Sequence, residues 1–197
     1  MESYCSFSRK RNDHHRTHHD TEHGWPPISD DDLFRRLMLE ISQAGLSFET
    51  ILKRKEGIYG KFSKIAEVAK FKAADINKLM KSPAIIRNRL KIEAAVHNAK
   101  QIARIQKEHG SFENWLNMHH PLPLEDWTTL FRKNFRFTGR SIVNEFLMSA
   151  GFLPGAHDPD CPIYRKIQER LKGAKAAQRR LPKSAAAQLP QPLSGSR

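Results

Sequence analysis

Cysteine is scarce in this chain of 197 residues, where Cys5 and Cys161 are the only two. Two cysteines are too few for the disulfide scaffold of a small secreted domain, and they favour a reducing compartment. The sequence also lacks any run near about 18 apolar residues, which excludes a transmembrane helix. Its first residues contain no apolar stretch typical of a signal peptide. These absences predict a soluble, cytoplasmic protein without a membrane partner.

Acidic residues are in the minority, since 21 Asp and Glu stand against 34 Lys and Arg and leave a net charge of +13. This balance favours a polyanionic partner, with nucleic acid first, and the alternative is a basic surface without a partner. Residues 165–197 hold nine basic residues and one acid, Glu169, so +8 of the +13 lies there. We therefore expect one domain over residues 1–164 and a basic, largely disordered tail over 165–197, whose first half could form a short helix.

Apolar residues recur at helical spacing from about residue 28 to residue 153, and no segment alternates convincingly as a β-strand does. The first of these helices begins with Ser29 as its N-cap, carries three aspartates in its first turn and ends before Gly45. Further helix starts are predicted at Ser47, Asp75, Ser111 and Gly139, and the longest helix covers about residues 90–107. The pattern predicts an all-α fold.

A tight turn between two predicted helices carries several basic residues. The segment 82–89 is too short for anything but a hairpin, and Arg87, Arg89 and Lys91 stand at the start of the long helix that follows. Free N–H groups at a helix N-terminus and nearby cations can bind a phosphate of the DNA backbone. The alternative is an ordinary helix–turn–helix connection with a solvated basic face.

Glu40 lies within the apolar stripe of the first predicted helix, where an unpaired carboxylate is costly. It is therefore either paired with a cation or directed into a cavity that binds a ligand. The turn after this helix places Leu46 at a helix start, where an apolar side chain can wedge into a base stack or can belong to the core.

The Cys and His residues could form a metal site. His157 and Cys161 have the spacing His-x-x-x-Cys, and Cys5 and His19 lie near the other end of the chain. Four such ligands suit a closed tetrahedral zinc site. Spacing alone leaves coincidence open, and the histidines near residue 15 can instead form a surface tract that binds metal adventitiously.

Taken together, these segments resemble the DNA-3-methyladenine glycosylase I family, a branch of the helix–hairpin–helix glycosylases. The similarity covers about residues 5–164 and excludes the tail. It is carried by Cys5 and by HHDTEHG at 18–24, LEISQAGLSFETILKRKE at 39–56, AIIRNRLKI at 84–92 and NFRFTGRSIVNEFLMSAGFLPGAHDPDC at 134–161. The resemblance implies a monofunctional base-excision repair enzyme that hydrolyses the N-glycosidic bond of 3-methyladenine in double-stranded DNA and acts as a monomer.

The resemblance also implies roles for individual residues. A structural zinc joins the N- and C-terminal segments through Cys5, His19, His157 and Cys161. Glu40 is the catalytic glutamate that hydrogen-bonds the flipped base, Phe48 stacks on that base, and Leu46 fills the gap left in the duplex. His18 and His23 occupy positions where the family has aromatic residues, and Phe48 stands where tryptophan is usual.

These departures leave an alternative open. A non-catalytic DNA-binding relative would keep the hairpin and the zinc but lose the base pocket. A Schiff-base lyase mechanism through Lys91 is a further alternative, which the resemblance to monofunctional enzymes disfavours.

Overall fold

All regular structure in residues 2–180, the part of the chain that the computed structural model describes, is helical. The all-α prediction is therefore confirmed. The chain forms two compact units, Met1–Asp158 and Pro159–Arg197. The helices of the first unit are α1 (Tyr4–Arg9), α2 (His14–Thr21), α3 (Asp30–Gln43), α4 (Phe48–Leu52), α5 (Lys55–Lys61), α6 (Ile65–Val68), α7 (Ala73–Leu79), α8 (Arg89–His109), α9 (Phe112–His119), α10 (Leu124–Asn134) and α11 (Arg140–Ser149).

Helix α3 is the centre of the first unit. It is buried along nearly its whole length, because Phe34, Leu37 and Ile41 all have no exposed surface. Helices α4, α5, α6, α8, α9 and α11 pack around it. Glu40 lies on this helix, and its side chain is in the interior because nearly every face of α3 is buried.

Serine side chains begin the predicted helices as expected. The hydroxyl groups of Ser29, Ser47 and Ser111 each accept a hydrogen bond from the backbone N–H three residues later. Asp75 is the exception, because α7 begins before it. Its carboxylate accepts a hydrogen bond from the backbone N–H of Lys72, so Asp75 stabilises the helix start from within the first turn.

The predicted hairpin lies between α7 and α8. Asn88 caps α8 by accepting a hydrogen bond from the backbone N–H of Lys91. The hairpin loop lies against α5 so closely that a Cβ atom on Gly57 would be 2.1 Å from the carbonyl oxygen of Ala84. Only glycine at position 57 permits this close packing of the hairpin loop against α5.

The second unit contains α12 (Pro162–Arg180), and this helix includes the first residues of the predicted basic tail. The rest of that tail, residues 181–197, lies outside the described residues, so its predicted disorder and the domain boundary at residue 164 stay predictions. Among the helices of residues 2–180, none combines the length and the apolar character that a membrane span requires.

Candidate ligand pocket and metal centre

A cavity of about 360 Å³ opens in the first unit beside the middle of α3. Its wall contains two carboxyl groups, three rings and one amide, and no Lys or Arg is among the described residues that form it. The lining residues are Tyr4, His23, Glu40, Gln43, Phe48, Glu145, Met148, Gly155 and Ala156. Such a wall is apolar and aromatic with a few directed polar groups, as in a site for a flat organic ligand.

Glu40 provides the most unusual chemistry of this cavity. Its side chain is only 4% exposed, and within residues 2–172, whose side chains the structure describes, none donates a hydrogen bond to its carboxylate. Burial, followed by the negative charges of Glu145 and Glu22, raises the pKa of Glu40 to about 8. The ionised form is therefore costly until a ligand supplies a donor or a positive charge.

Glu145 is a second carboxylate in the wall, and sequence reasoning missed it. It lies on α11 and is half-buried, and its Oε1 accepts a hydrogen bond from the Asn144 amide at 3.3 Å. Burial raises the pKa of Glu145 above its ordinary value. The available sequence signal was its position on an apolar helix beside Phe146, the same signal that marked Glu40.

Three rings form the aromatic part of the wall. The Tyr4 ring centroid lies 5.4 Å from that of His23 and 6.1 Å from that of Phe48. Burial is the main cause that raises the pKa of Tyr4 to about 12. Burial, followed by the positive charge of neighbouring histidines, lowers the pKa of His23 to about 3. Both rings are therefore neutral at physiological pH. Tyr4 was not predicted, because no periodic pattern in the first helix connects it with the pocket.

His18 is not part of the wall, contrary to the expectation that it faces the ligand. Its ring is 2% exposed and lies against Phe48 and His23, with centroid distances of 5.3 and 5.7 Å. Its Nδ1 lies 3.4 Å from Oε1 of Glu22, which is ion-paired with Lys55 at 2.6 Å. His18 therefore supports two pocket rings from the protein side, because α2 buries this face against α4.

Three of the predicted metal ligands converge next to this pocket. Cys5 Sγ lies 3.3 Å from His19 Nε2 and 3.6 Å from His157 Nδ1, and the two nitrogens are 3.2 Å apart. Tetrahedral zinc with ordinary bond lengths requires N–N and N–S separations of about 3.3–3.6 Å. All three side chains are buried, and together they could hold a metal ion.

Outer contacts orient these ligands in the manner of a metal site. His19 Nδ1 lies 2.7 Å from an oxygen of Asp20, and His157 Nε2 lies 2.6 Å from the backbone oxygen of His23. Each imidazole thus has its second nitrogen engaged and its first directed at Cys5. Gly24 permits this arrangement, because it has a φ of +74° and a Cβ there would be 3.0 Å from the His157 ring.

The predicted fourth ligand, Cys161, belongs to the second unit. Its side chain is fully buried, and it immediately precedes α12. Its part in a metal site stays a prediction from the sequence.

Comparison with known proteins identifies the family. The profile of the family described as Methyladenine glycosylase matches residues 8–129. The chain belongs to this family. It is 31% identical over 166 residues to the DNA-3-methyladenine glycosylase of Haemophilus influenzae, covering 74% of this chain and 89% of that protein. It is 29% identical to DNA-3-methyladenine glycosylase 1 of Escherichia coli, covering 75% of this chain and 89% of that protein.

Solved structures of glycosylases share the fold. A crystal structure of a 3-methyladenine DNA glycosylase I variant in complex with 3-methyladenine superimposes with a TM-score of 0.70 at 30% identity, covering 81% of this chain and 96% of that one. The 3-methyladenine DNA glycosylase I of Staphylococcus aureus, solved to explain its recognition of 3-methyladenine, gives a TM-score of 0.68 at 30% identity. That match covers 78% of this chain and 92% of the other.

The residues expected to contact DNA divide into exposed and buried groups in this member of the methyladenine glycosylase family. Leu46 is 41% exposed in the turn after α3, where Gly45 has a φ of +79°. Arg87 is exposed in the hairpin loop. The side chain of Arg89 is 50% exposed and contacts Asn77 at 2.7 Å. These three side chains are accessible from solvent, and their contact with DNA stays a prediction.

Lys91 has a different position from the predicted phosphate contact. It is only 6% exposed, and its ammonium group donates hydrogen bonds to the carbonyl oxygens of Ser42 at 2.8 Å and Ala44 at 2.6 Å. The reason is that the last carbonyls of α3 lack partners within the helix, and Lys91 faces them from the first turn of α8. Lys91 thus connects the hairpin to the turn that carries Leu46.

Proposed function

We propose that this protein is a monofunctional glycosylase that hydrolyses the N-glycosidic bond of 3-methyladenine in alkylated double-stranded DNA. The observation that carries the proposal is Glu40, a buried carboxylate without a cationic partner in the wall of an aromatic cavity. A purine methylated at N3 while attached to the sugar carries a positive charge. Such a base supplies the positively charged partner that Glu40 lacks. The relatives described above are named as glycosylases of 3-methyladenine.

The proposed reaction requires the protein to extrude the base, bind it and admit water. A base within a duplex must first be extruded before a pocket can surround it. The positive charge of the base already weakens the bond between N9 and C1′, so the electron pair of that bond leaves with the base and neutralises it. Water adds to C1′ and loses a proton to solvent. Glu40 is the catalytic residue in this scheme, because it binds the base in a charge-assisted hydrogen bond. No strong general base is needed.

The rings of the pocket hold the base by stacking. Phe48 takes the part usually played by a larger ring, with His23 and Tyr4 beside it. An aromatic face attracts a cationic purine through its quadrupole as well as by contact. Neutral His23 can stack without repelling the positive charge, and His18 keeps Phe48 and His23 in place.

The DNA-binding part of the proposal uses the helix–hairpin–helix formed by α7 and α8. Arg87 and Arg89 lie near the N-terminus of α8, where basic groups and free N–H groups bind phosphates without reading sequence. Leu46 enters the space vacated by the extruded base. Lys91 acts indirectly by holding the Leu46 turn against the hairpin.

Zinc is the proposed structural metal. Cys5, His19 and His157 supply a sulfur and two nitrogens of the kind that zinc prefers, and Cys161 is the fourth ligand that the sequence resemblance implies. The metal would stabilise the fold and would take no part in hydrolysis. A monomer in the cytoplasm is the proposed form of the protein.

The deciding experiment measures free 3-methyladenine released from a methylated DNA duplex by the purified protein. We expect release by the wild type and strong loss of release by Glu40→Gln. DNA binding without release by the wild type would instead identify a non-catalytic relative, the alternative that His18 and His23 suggest in place of the family's aromatic residues.

A further inference from the structure

We infer that Glu145 is a second specificity-determining residue of the pocket, which together with Glu40 makes it select cationic alkylated bases over neutral ones. This inference rests on the proposed function and extends it. Glu40 alone would provide a single negative charge, whereas a second carboxylate strengthens the attraction for a positively charged base relative to a neutral one.

The geometry brings the two carboxylates to one cavity from different helices. Glu40 comes from α3 and Glu145 from α11, and these helices pack directly against each other. Glu40 is nine-tenths buried or more and accepts no hydrogen bond from residues 2–172, the range whose side chains are described. In the same part of the chain, the Asn144 amide is the side chain that donates to Glu145.

The nearby cations are engaged elsewhere. Arg36 donates to Asp32 at 2.9 Å and to the backbone oxygen of Ser149 at 2.7 Å. Lys55 is ion-paired with Glu22, and Lys91 donates to two carbonyl groups at the end of α3. None of these cations is among the described residues that line the cavity. A bound cation would therefore be the partner that the two carboxylates lack.

The two carboxylates oppose each other's ionisation. The negative charge of Glu145 makes the Glu40 proton harder to remove, in addition to the effect of burial, and burial also raises the pKa of Glu145. A cationic base offsets both charges and allows the pair to ionise around it. A neutral base supplies no positive charge to offset the two carboxylates, so it gains only ordinary hydrogen bonds and stacking. The difference between these two cases is the selectivity that we assign to Glu145.

The other titratable groups around Glu40 do not provide this selectivity. Glu22, the residue that follows α2, already has Lys55 and His18 as partners, and these hold the pKa of Glu22 below its usual range although burial opposes them. Tyr4 and His23 stay neutral across the physiological range.

The test compares two small probes that differ in fixed charge. The 3,9-dimethyladeninium ion is permanently cationic and carries a methyl group in place of the sugar, and 9-methyladenine is its neutral counterpart. Calorimetry gives the ratio of their affinities for each variant at about pH 8. We expect Glu145→Gln to reduce the preference for the cation by about tenfold, because one charge is lost near the ligand at intermediate dielectric. Glu145→Asp should keep most of the preference.

A matched control separates pocket charge from general charge. Glu113 is also half-buried with a pKa raised by burial, but it lies on α9 outside the cavity wall. Glu113→Gln should leave the preference unchanged. An equal preference in wild type and Glu145→Gln, with both folded by circular dichroism, would overturn the inference.

A second readout is independent of ligand. Carbon-13 NMR of the labelled Glu40 carboxyl group should report a lower pKa in Glu145→Gln than in the wild type, and an unchanged titration would contradict the coupling. If the wild type releases no 3-methyladenine from DNA, the proposed function fails. If it does release the base while Glu145→Gln keeps full charge preference, the inference about Glu145 fails alone.

Discussion

Glu40 is held in the interior at a cost to stability, and that cost depends on pH. Its pKa of about 8 in the folded protein lies above the ordinary value of 4.5, so the folded state binds the proton more tightly than the unfolded state. The contribution of the protonated group is complete below about pH 4.5 and is lost as the pH rises to about 8. A buried group tuned in this way is typical of a functional site rather than of a packing position.

Glu40→Gln should therefore stabilise the protein, and the gain should grow with pH. Glutamine keeps the shape without the ionisation, so we expect its advantage in the free energy of unfolding to increase between about pH 4.5 and 8 to roughly 3–5 kcal/mol. Urea unfolding at several pH values measures this. Glu67→Gln, on an exposed position of α6, is the control and should show no such trend.

The affinity of the pocket for a permanent cation should rise with pH through about 8. The cation binds the ionised Glu40, so below its pKa a proton must be displaced and the affinity of 3,9-dimethyladeninium falls by up to about tenfold per pH unit. Neither the pKa of Tyr4, about 12, nor that of His23, about 3, lies in this range. A binding constant that does not vary between about pH 6 and 9 would contradict this assignment of Glu40.

Tyr4 supplies an aromatic surface beside His23, one of the two histidines that stand where the family pattern has aromatic residues. We expect Tyr4→Ala to weaken binding of the cationic probe by about tenfold, a typical value for one stacking contact, and Tyr4→Phe to retain most of the affinity. Titration calorimetry measures both. Equal affinities for wild type and Tyr4→Ala would leave stacking to Phe48 and His23.

Among the elements, α8 combines two functions in its first turn. Arg89 is directed outward to Asn77 and solvent, whereas Lys91 is directed inward to the end of α3. The sequence alone groups these residues as one basic cluster, and only the packing of α8 against α3 separates them.

Substitutions in this first turn of α8 should therefore affect different properties, DNA binding for the two arginines and stability for Lys91. Arg87→Ala and Arg89→Ala should weaken DNA binding for all sequences and reduce the slope of log affinity against log salt by about one unit each. Lys91→Ala should instead lower the melting temperature, because it leaves the buried carbonyl group of Ser42 and the partly buried one of Ala44 without their donor. A change in salt slope for Lys91→Ala without loss of stability would show that its ammonium group contacts DNA.

At the scale of the whole molecule, the candidate metal centre brings together residues that are far apart in the sequence. Cys5 and His157 are separated by 152 residues, yet their ligand atoms lie 3.6 Å apart. A metal ion that binds both stabilises the folded state but not the unfolded chain, where no such site exists.

Purified protein should contain about one zinc ion per chain. Cys5→Ser and Cys161→Ala should each lose the metal and lower the melting temperature by several degrees, with less effect on the rate of the fraction that remains folded. His14→Ala is the control, since His14 is exposed on α2 and outside the cluster. Metal-free protein of unchanged stability, or zinc lost equally from His14→Ala, would refute this site.

Local signals in the sequence were sufficient for the helices. Ser29, Ser47 and Ser111 begin their helices where predicted, because an N-cap acts on backbone groups only a few residues away. Glu40 and the ligand residues Cys5, His19 and His157 could also be selected, because their chemistry is unusual for their positions and matches a known family. The short helices α1, α2 and α5 were not predicted, since their stability depends on packing rather than on an apolar stripe.

Only the tertiary structure decided which residues form the wall of the pocket. Tyr4 and Glu145 join Glu40 there, His18 lies behind the wall, and Lys91 faces inward. The physical reason is that periodicity and capping are short-range effects, which determine the face of a helix but not its neighbour. A cavity between α3 and residues from both ends of the first unit depends on how those elements pack, and that arrangement is set by many weak contacts acting together.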